Sequence, residues 1–108
     1  MQGLNPAIAA YIDHSNTRDL EAVTSLFKTD AVVEDEGLTH RGIQEIRRWV
    51  QKTHSAYRFN LKALDSAEVG AETIVTCLVA GNFPGSPVHL RFFFTLEGEK
   101  IAALAIRE

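Results

Sequence analysis

One feature constrains this chain more than any other: near Arg58 the spacing of its apolar residues changes. Before that point they recur every three or four positions, and after it they recur every two. Asn5-Pro6 signals a helix start, because Asn can accept a bond from an orphan backbone N–H and proline at the first helical position forfeits no donor. Ile8, Tyr11 and Ile12 then share a face, and Asn16-Thr17-Arg18 breaks the pattern. A second helix is expected from about Asp19, carrying Leu20, Val23, Leu26 and Phe27, to form a short helical hairpin with the first. Ala31 to Glu36 reads as a brief strand closed by Gly37. Gly42 precedes a third helix with the stripe Ile43, Ile46, Trp49 and Val50. The period-two half offers strands at 58–65, 72–82, 88–97 and 100–107, separated by Gly- and Pro-bearing turns. Helices first and an antiparallel meander second predict an α+β domain whose helices cover one face of the sheet.

Composition narrows the classes. A length of 108 residues suits one core, so residues 1–108 are read as a single domain. Apolar residues at 45% and a mean hydropathy of −0.06 fit a folded globular chain. Eleven basic residues against fourteen acidic ones leave a net charge of −3, so there is no overall positive field to gather a phosphate backbone, and nucleic acid is not an expected partner. The one cysteine, Cys77, has no second thiol within the chain to pair with. No charged leader followed by a long apolar stretch is evident at the start, and no apolar run approaches membrane-spanning length; a cytoplasmic home and no membrane partner are expected. The strands are nonetheless too apolar for a sheet with one wet face. Val88, Leu90, Phe92, Phe94 and Leu96 fall on one side and Phe93 on the other, while 101–106 is apolar throughout, which predicts a homodimer formed through the sheet.

The order of elements, with a strand ending in Val33-Glu34-Asp35 and Arg41-Gly42 before the third helix, resembles the nuclear transport factor 2-like superfamily, and within it the SnoaL-like and ketosteroid isomerase group. Tyr11, Asp19-Leu20, Leu26-Phe27, Asp30-Ala31, Gly42 and Ile46-Arg47 carry the rest of the likeness. The resemblance implies a cone-shaped curved antiparallel sheet that, with three N-terminal helices, encloses an apolar pocket for a small hydrophobic molecule. It also implies a carboxylate base at Asp35 and a tyrosine oxyanion donor at Tyr11. Where isomerases of the group hold a protonated aspartate, Arg91 stands here, with His89 two residues earlier on the same face, and Glu36 replaces the proline that often follows the base.

Each of these residues has a bland reading as well as a chemical one. Asp35 ends an apolar strand, where burial would raise its pKa into the range of a base that removes a proton beside a carbonyl; as a solvated strand end it would do nothing. Tyr11 lies on a buried stripe, either as a core tyrosine or as a phenol donating to a developing enolate. Arg91 inside the cone would need a partner, with Asp35 the candidate, or it would bind a ligand anion; at the rim it would be solvated. His89 is a candidate pocket acid or base, or an ordinary strand histidine. Trp49, Phe59, Phe83 and Phe93 are candidate pocket linings as well as core aromatics. His14, His40, His54 and His89 lack metal-ligand spacing, and no Gly-rich phosphate loop or nucleophile elbow occurs, so no metal and no cofactor are expected. The reading that follows is a cofactor-independent isomerase, cyclase or lyase acting by proton abstraction on a hydrophobic carbonyl compound. The alternatives are a non-catalytic ligand-binding or dimerisation module, and an epoxide hydrolase-like activity using Asp and Arg.

Overall fold

The computed structural model describes residues 3–108. Helices α1 (Pro6–Asn16) and α2 (Leu20–Ser25) come first. They are followed by strands β1 (Phe27–Asp35) and β2 (Leu38–Arg41), helix α3 (Gly42–Ala56), and the strands β3 (Phe59–Val69), β4 (Glu72–Gly81), β5 (Val88–Glu97) and β6 (Lys100–Arg107). The start signals work as their chemistry predicts. Asn5 Oδ1 accepts from the Ala7 N–H at 2.8 Å with Pro6 in the first turn, and Asp19 Oδ1 caps α2 through the Ala22 N–H at 3.1 Å.

The strands form one curved six-stranded sheet in the order β2-β1-β6-β5-β4-β3. The C-terminal four run as the expected antiparallel meander, and β6 closes back onto β1 in parallel. That closure explains one departure from the sequence reading. Phe27 repeats with Val23 at helical spacing but opens β1, because the Ile101 N–H bonds to the Leu26 carbonyl at 2.8 Å and Phe27 pairs with Ile101. Strand β2 was not anticipated either. It is four residues long, lies at the sheet edge and is mostly exposed, so it carries no apolar alternation to read. Its register is fixed by the hairpin turn Glu36-Gly37, in which both residues have positive φ, 52° and 77°, the geometry that matches the twist of paired strands.

One face of the sheet packs against the helices. Val33, Val75, Phe92, Phe94, Ile101 and Leu104 meet Ile8, Tyr11, Val23 and Ile46 in a single buried core. At its centre Tyr11 packs edge-on against Phe94 at 5.5 Å and against Phe27 at 6.2 Å. Asn16, at the end of α1, locks the helices to β3: its side chain accepts from the Leu61 N–H at 2.7 Å and donates to the Leu61 carbonyl at 2.9 Å. At the same end of the β3–β4 pair only glycine fits at position 81, since a Cβ there would lie 2.1 Å from the Arg58 carbonyl oxygen. This close approach brings Phe59 and the 82–87 loop to the open end of the cone. Among the described residues no helix is long and apolar enough to cross a membrane.

Candidate functional site

Between the helices and the concave face of the sheet lies a cavity of about 560 Å³, inside the range of small-molecule sites. Its walls are mainly apolar: Val79, Leu90, Phe92 and Ile106 from the sheet, with Val50 from α3. Trp49, Phe59 and Phe83 line it. Phe93 does not. Polar groups reach it from separate elements: Tyr11 and Ser15 from α1, Asp35 from the end of β1, and Thr53 and His54 from α3, while Glu36, Arg107 and Glu108 also line it.

Alternation along β1 decides which acid of the Glu34-Asp35-Glu36 run enters. Val33 is fully buried on the concave side, so Glu34 points out, where it meets Arg107 at 3.5 Å, and Asp35 points in. The indole N–H of Trp49 donates to Asp35 Oδ2 at 3.0 Å. Burial pushes the Asp35 carboxyl above the ordinary carboxylate range; the Trp49 bond opposes that shift and the neighbouring Glu36 charge adds to it. Tyr11 is 4% exposed, and burial, reinforced by the Asp35 charge, holds its phenol far above the ordinary tyrosine range. It therefore stays protonated at any physiological pH, as a donor must. Asp35 and Tyr11 thus sense one another inside one apolar cavity.

The structure separates the other two candidate catalytic residues from this pair. Arg91 and His89 are exposed on the convex face, because Leu90 and Phe92 on either side of Arg91 take the inward positions. Arg91 donates to the Glu108 carbonyl at 3.0 Å and sits over the Phe93 ring at 5.5 Å, with Arg107 over the same ring at 5.7 Å. It does not pair with Asp35. Phe93 belongs to that convex cluster and not to the pocket, since it follows the same parity.

One residue of the cavity escaped the sequence reading. His54 lies one turn beyond Val50 on the inward side of α3, and its ring packs 5.9 Å from Phe59. Its Nδ1 is buried without a hydrogen-bond partner, and burial together with the nearby Arg18 charge lowers its pKa, so it is neutral at pH 7. The signal was present: the stripe Ile46, Trp49, Val50 continues at helical spacing to Thr53 and His54. Cys77 is buried, and the loss of solvent pushes its thiol up to about 11, leaving it unreactive at neutral pH. Among the described residues no three His, Cys, Asp or Glu side chains gather as a metal site would require.

Comparison with known proteins matches the SnoaL-like domain to residues 8–104. A solved structure from Sinorhizobium meliloti, provisionally named a polyketide cyclase, is 38% identical, with a TM-score of 0.91 over 96% of this chain and 95% of its own. A second such protein, from Pseudomonas putida, is 20% identical with a TM-score of 0.82, covering 98% and 92%. A Catenulispora acidiphila protein with a ketosteroid isomerase-like fold, solved in complex with trimethylamine, is 17% identical with a TM-score of 0.85, covering 98% and 87%. At those lower identities the likeness is one of fold. No curated protein matches the chain.

Proposed function

The chain belongs to the SnoaL-like domain family, and from that premise we propose that it is a cofactor-independent isomerase, cyclase or lyase that removes a proton beside the carbonyl of an apolar compound. The observation that carries this reading is the Asp35 carboxylate, partly desolvated in a mainly apolar cavity that it shares with a tyrosine held in its protonated form. Desolvation makes Asp35 more basic than a surface aspartate, which suits proton abstraction near neutral pH. In the proposed step the Asp35 carboxylate takes the α-proton, the C–H bond breaks, and its electron pair moves onto the carbonyl oxygen as an enolate. The Tyr11 hydroxyl donates to that oxygen, a contact that strengthens as charge develops there. The carboxyl group then holds the proton for return to another carbon, or the enolate carbon attacks a second electrophilic centre of the same molecule. The S. meliloti relative's name is in keeping with the second course.

The same cavity would also serve a binding protein without turnover, and Asp35→Asn separates the two: loss of turnover with ligand affinity kept supports the enzyme, and equal behaviour of variant and parent supports binding. Epoxide hydrolysis by Asp35 with Arg91 is the less favoured alternative, since Arg91 lies on the opposite face of the sheet and bonds the Glu108 carbonyl. We further propose a cytoplasmic homodimer joined through the convex face, where Ile74, Leu78, Phe93 and Ala105 leave apolar surface only half buried. Light scattering that returns a monomer at micromolar concentration would remove the dimer.

A further inference from the structure

The cavity has two polar ends. Asp35, held by the Trp49 indole, marks one; His54 marks the other, five residues further along the same helix and hence about 7.5 Å further along its axis. The second end is unlike the first in that no hydrogen bond to its ring is made among the described residues. Nδ1 is closed off from solvent and has no partner, so a proton there would be an orphan buried donor, which proteins rarely tolerate, whereas a bare lone pair is the cheaper state. The single proton of the neutral ring therefore belongs on Nε2, and with Nδ1 occluded the Nε2 edge is the one that fronts the cavity. Arg18, whose guanidinium donates to the Tyr57 carbonyl at 3.0 Å, stands beside this end and discourages a second proton on the ring.

We propose that His54 is a specificity-determining residue whose Nε2–H donates to a second oxygen of the ligand, so that the preferred compounds are flat, apolar carbonyl compounds bearing a hydroxyl, ether or carbonyl oxygen at the end remote from the reacting carbonyl. This rests on the carbonyl-compound reading above for the orientation of the ligand, with the reacting carbonyl at Asp35. His54 takes no part in the proton transfer. Its contribution is to favour oxygenated ligands over hydrocarbon ones of the same shape, because a site with an unpaired donor disfavours a ligand that cannot satisfy it.

Trp49 is the chain's one tryptophan and lines the cavity, so quenching of its fluorescence reports binding directly. β-Tetralone and the β-tetralone bearing a hydroxyl on its aromatic ring form a matched pair of probes. The expected result is that the full chain binds the hydroxylated compound about three- to tenfold more tightly than the parent ketone, the worth of one hydrogen bond. In His54→Phe that preference falls to about one, and His54→Gln, which retains an N–H near the Nε2 position, restores part of it. A preference undiminished in His54→Phe overturns the proposal, as does the absence of saturable quenching by both compounds. The Asp35 reading is judged separately, by proton exchange: a His54-dependent preference without Asp35-dependent exchange upholds this inference and removes catalysis, and exchange without the preference does the reverse.

Discussion

The two faces of β5 carry opposite chemistry on neighbouring residues. Val88, Leu90, Phe92 and Phe94 turn inward and build the cavity wall and core, while His89, Arg91 and Phe93 turn outward into a cluster of cations over an aromatic ring. The inner face is mainly apolar, and burial against it holds the Asp35 carboxyl above its ordinary value. Outside, water and Glu34 screen the arginines, and their charges cost little. Shifting the register by one residue would exchange the two sets and place an arginine in an apolar cavity, an arrangement that only close pairing could sustain. Parity along the strand thus decides which side chains face the cavity and which face outward.

Substitutions can test that division, and the largest effect should come from inside. Asp35→Asn is expected to lower turnover by about 10²–10⁴-fold, the usual contribution of a positioned base. The same change should stabilise the fold at neutral pH. A carboxyl whose folded pKa lies above its ordinary value of 3.8 contributes its full stability below that value and loses it as pH rises through the folded pKa. Thermal melts of parent and variant should therefore converge near pH 4 and diverge as pH rises through the folded pKa, with the variant higher at pH 8. A variant that melts lower at pH 8 would show that the ionised carboxylate is a structural asset.

Next in size is packing. Phe94 is 1% exposed within the tyrosine cluster, and Phe94→Ala should cost about 3–5 kcal/mol in urea unfolding. Phe93→Ala, one residue along, should cost well under half of that in stability and should act instead on the oligomeric state. Equal costs would mean that the convex face is as tightly packed as the core.

How far the sequence could be read follows the same line. The period change at Arg58, the caps at Asn5 and Asp19 and the alternation of Val88 to Phe94 were legible because each is a local rule acting on adjacent residues. Strand β2 was not, since four exposed edge residues obey no apolar period. The helical reading of Phe27 failed because a distant partner, Ile101, claimed the backbone. Arg91 and His89 were assigned by likeness of position, although the alternation of Leu90 and Phe92 already places both outside. His54 is hard to see for the opposite reason: a histidine does not count as apolar, although its position continues the apolar stripe of α3.

A smaller effect should come from Trp49→Phe, which removes the one side-chain donor to Asp35. That bond lowers the carboxyl's pKa against the effect of burial, so the acidic limb of the pH–rate profile should move to higher pH, with the plateau rate less affected. A limb that stays in place would mean that the indole does not hold the reacting carboxylate. Smallest of all should be Arg91→Ala and His89→Ala, each expected to leave turnover within about twofold, as substitutions on a solvated face usually do. A tenfold loss in either would break the division of labour between the faces.

The most direct test of the account is whether Asp35 moves protons. In deuterium oxide, the α-protons of β-tetralone should exchange with solvent faster in the presence of the protein than in buffer, as followed by proton NMR, and the acceleration should vanish with Asp35→Asn while Trp49 fluorescence still shows the ketone bound. Acceleration of equal size in parent and variant, or bound ketone with no acceleration in either, would contradict the account and leave the cavity a binding site.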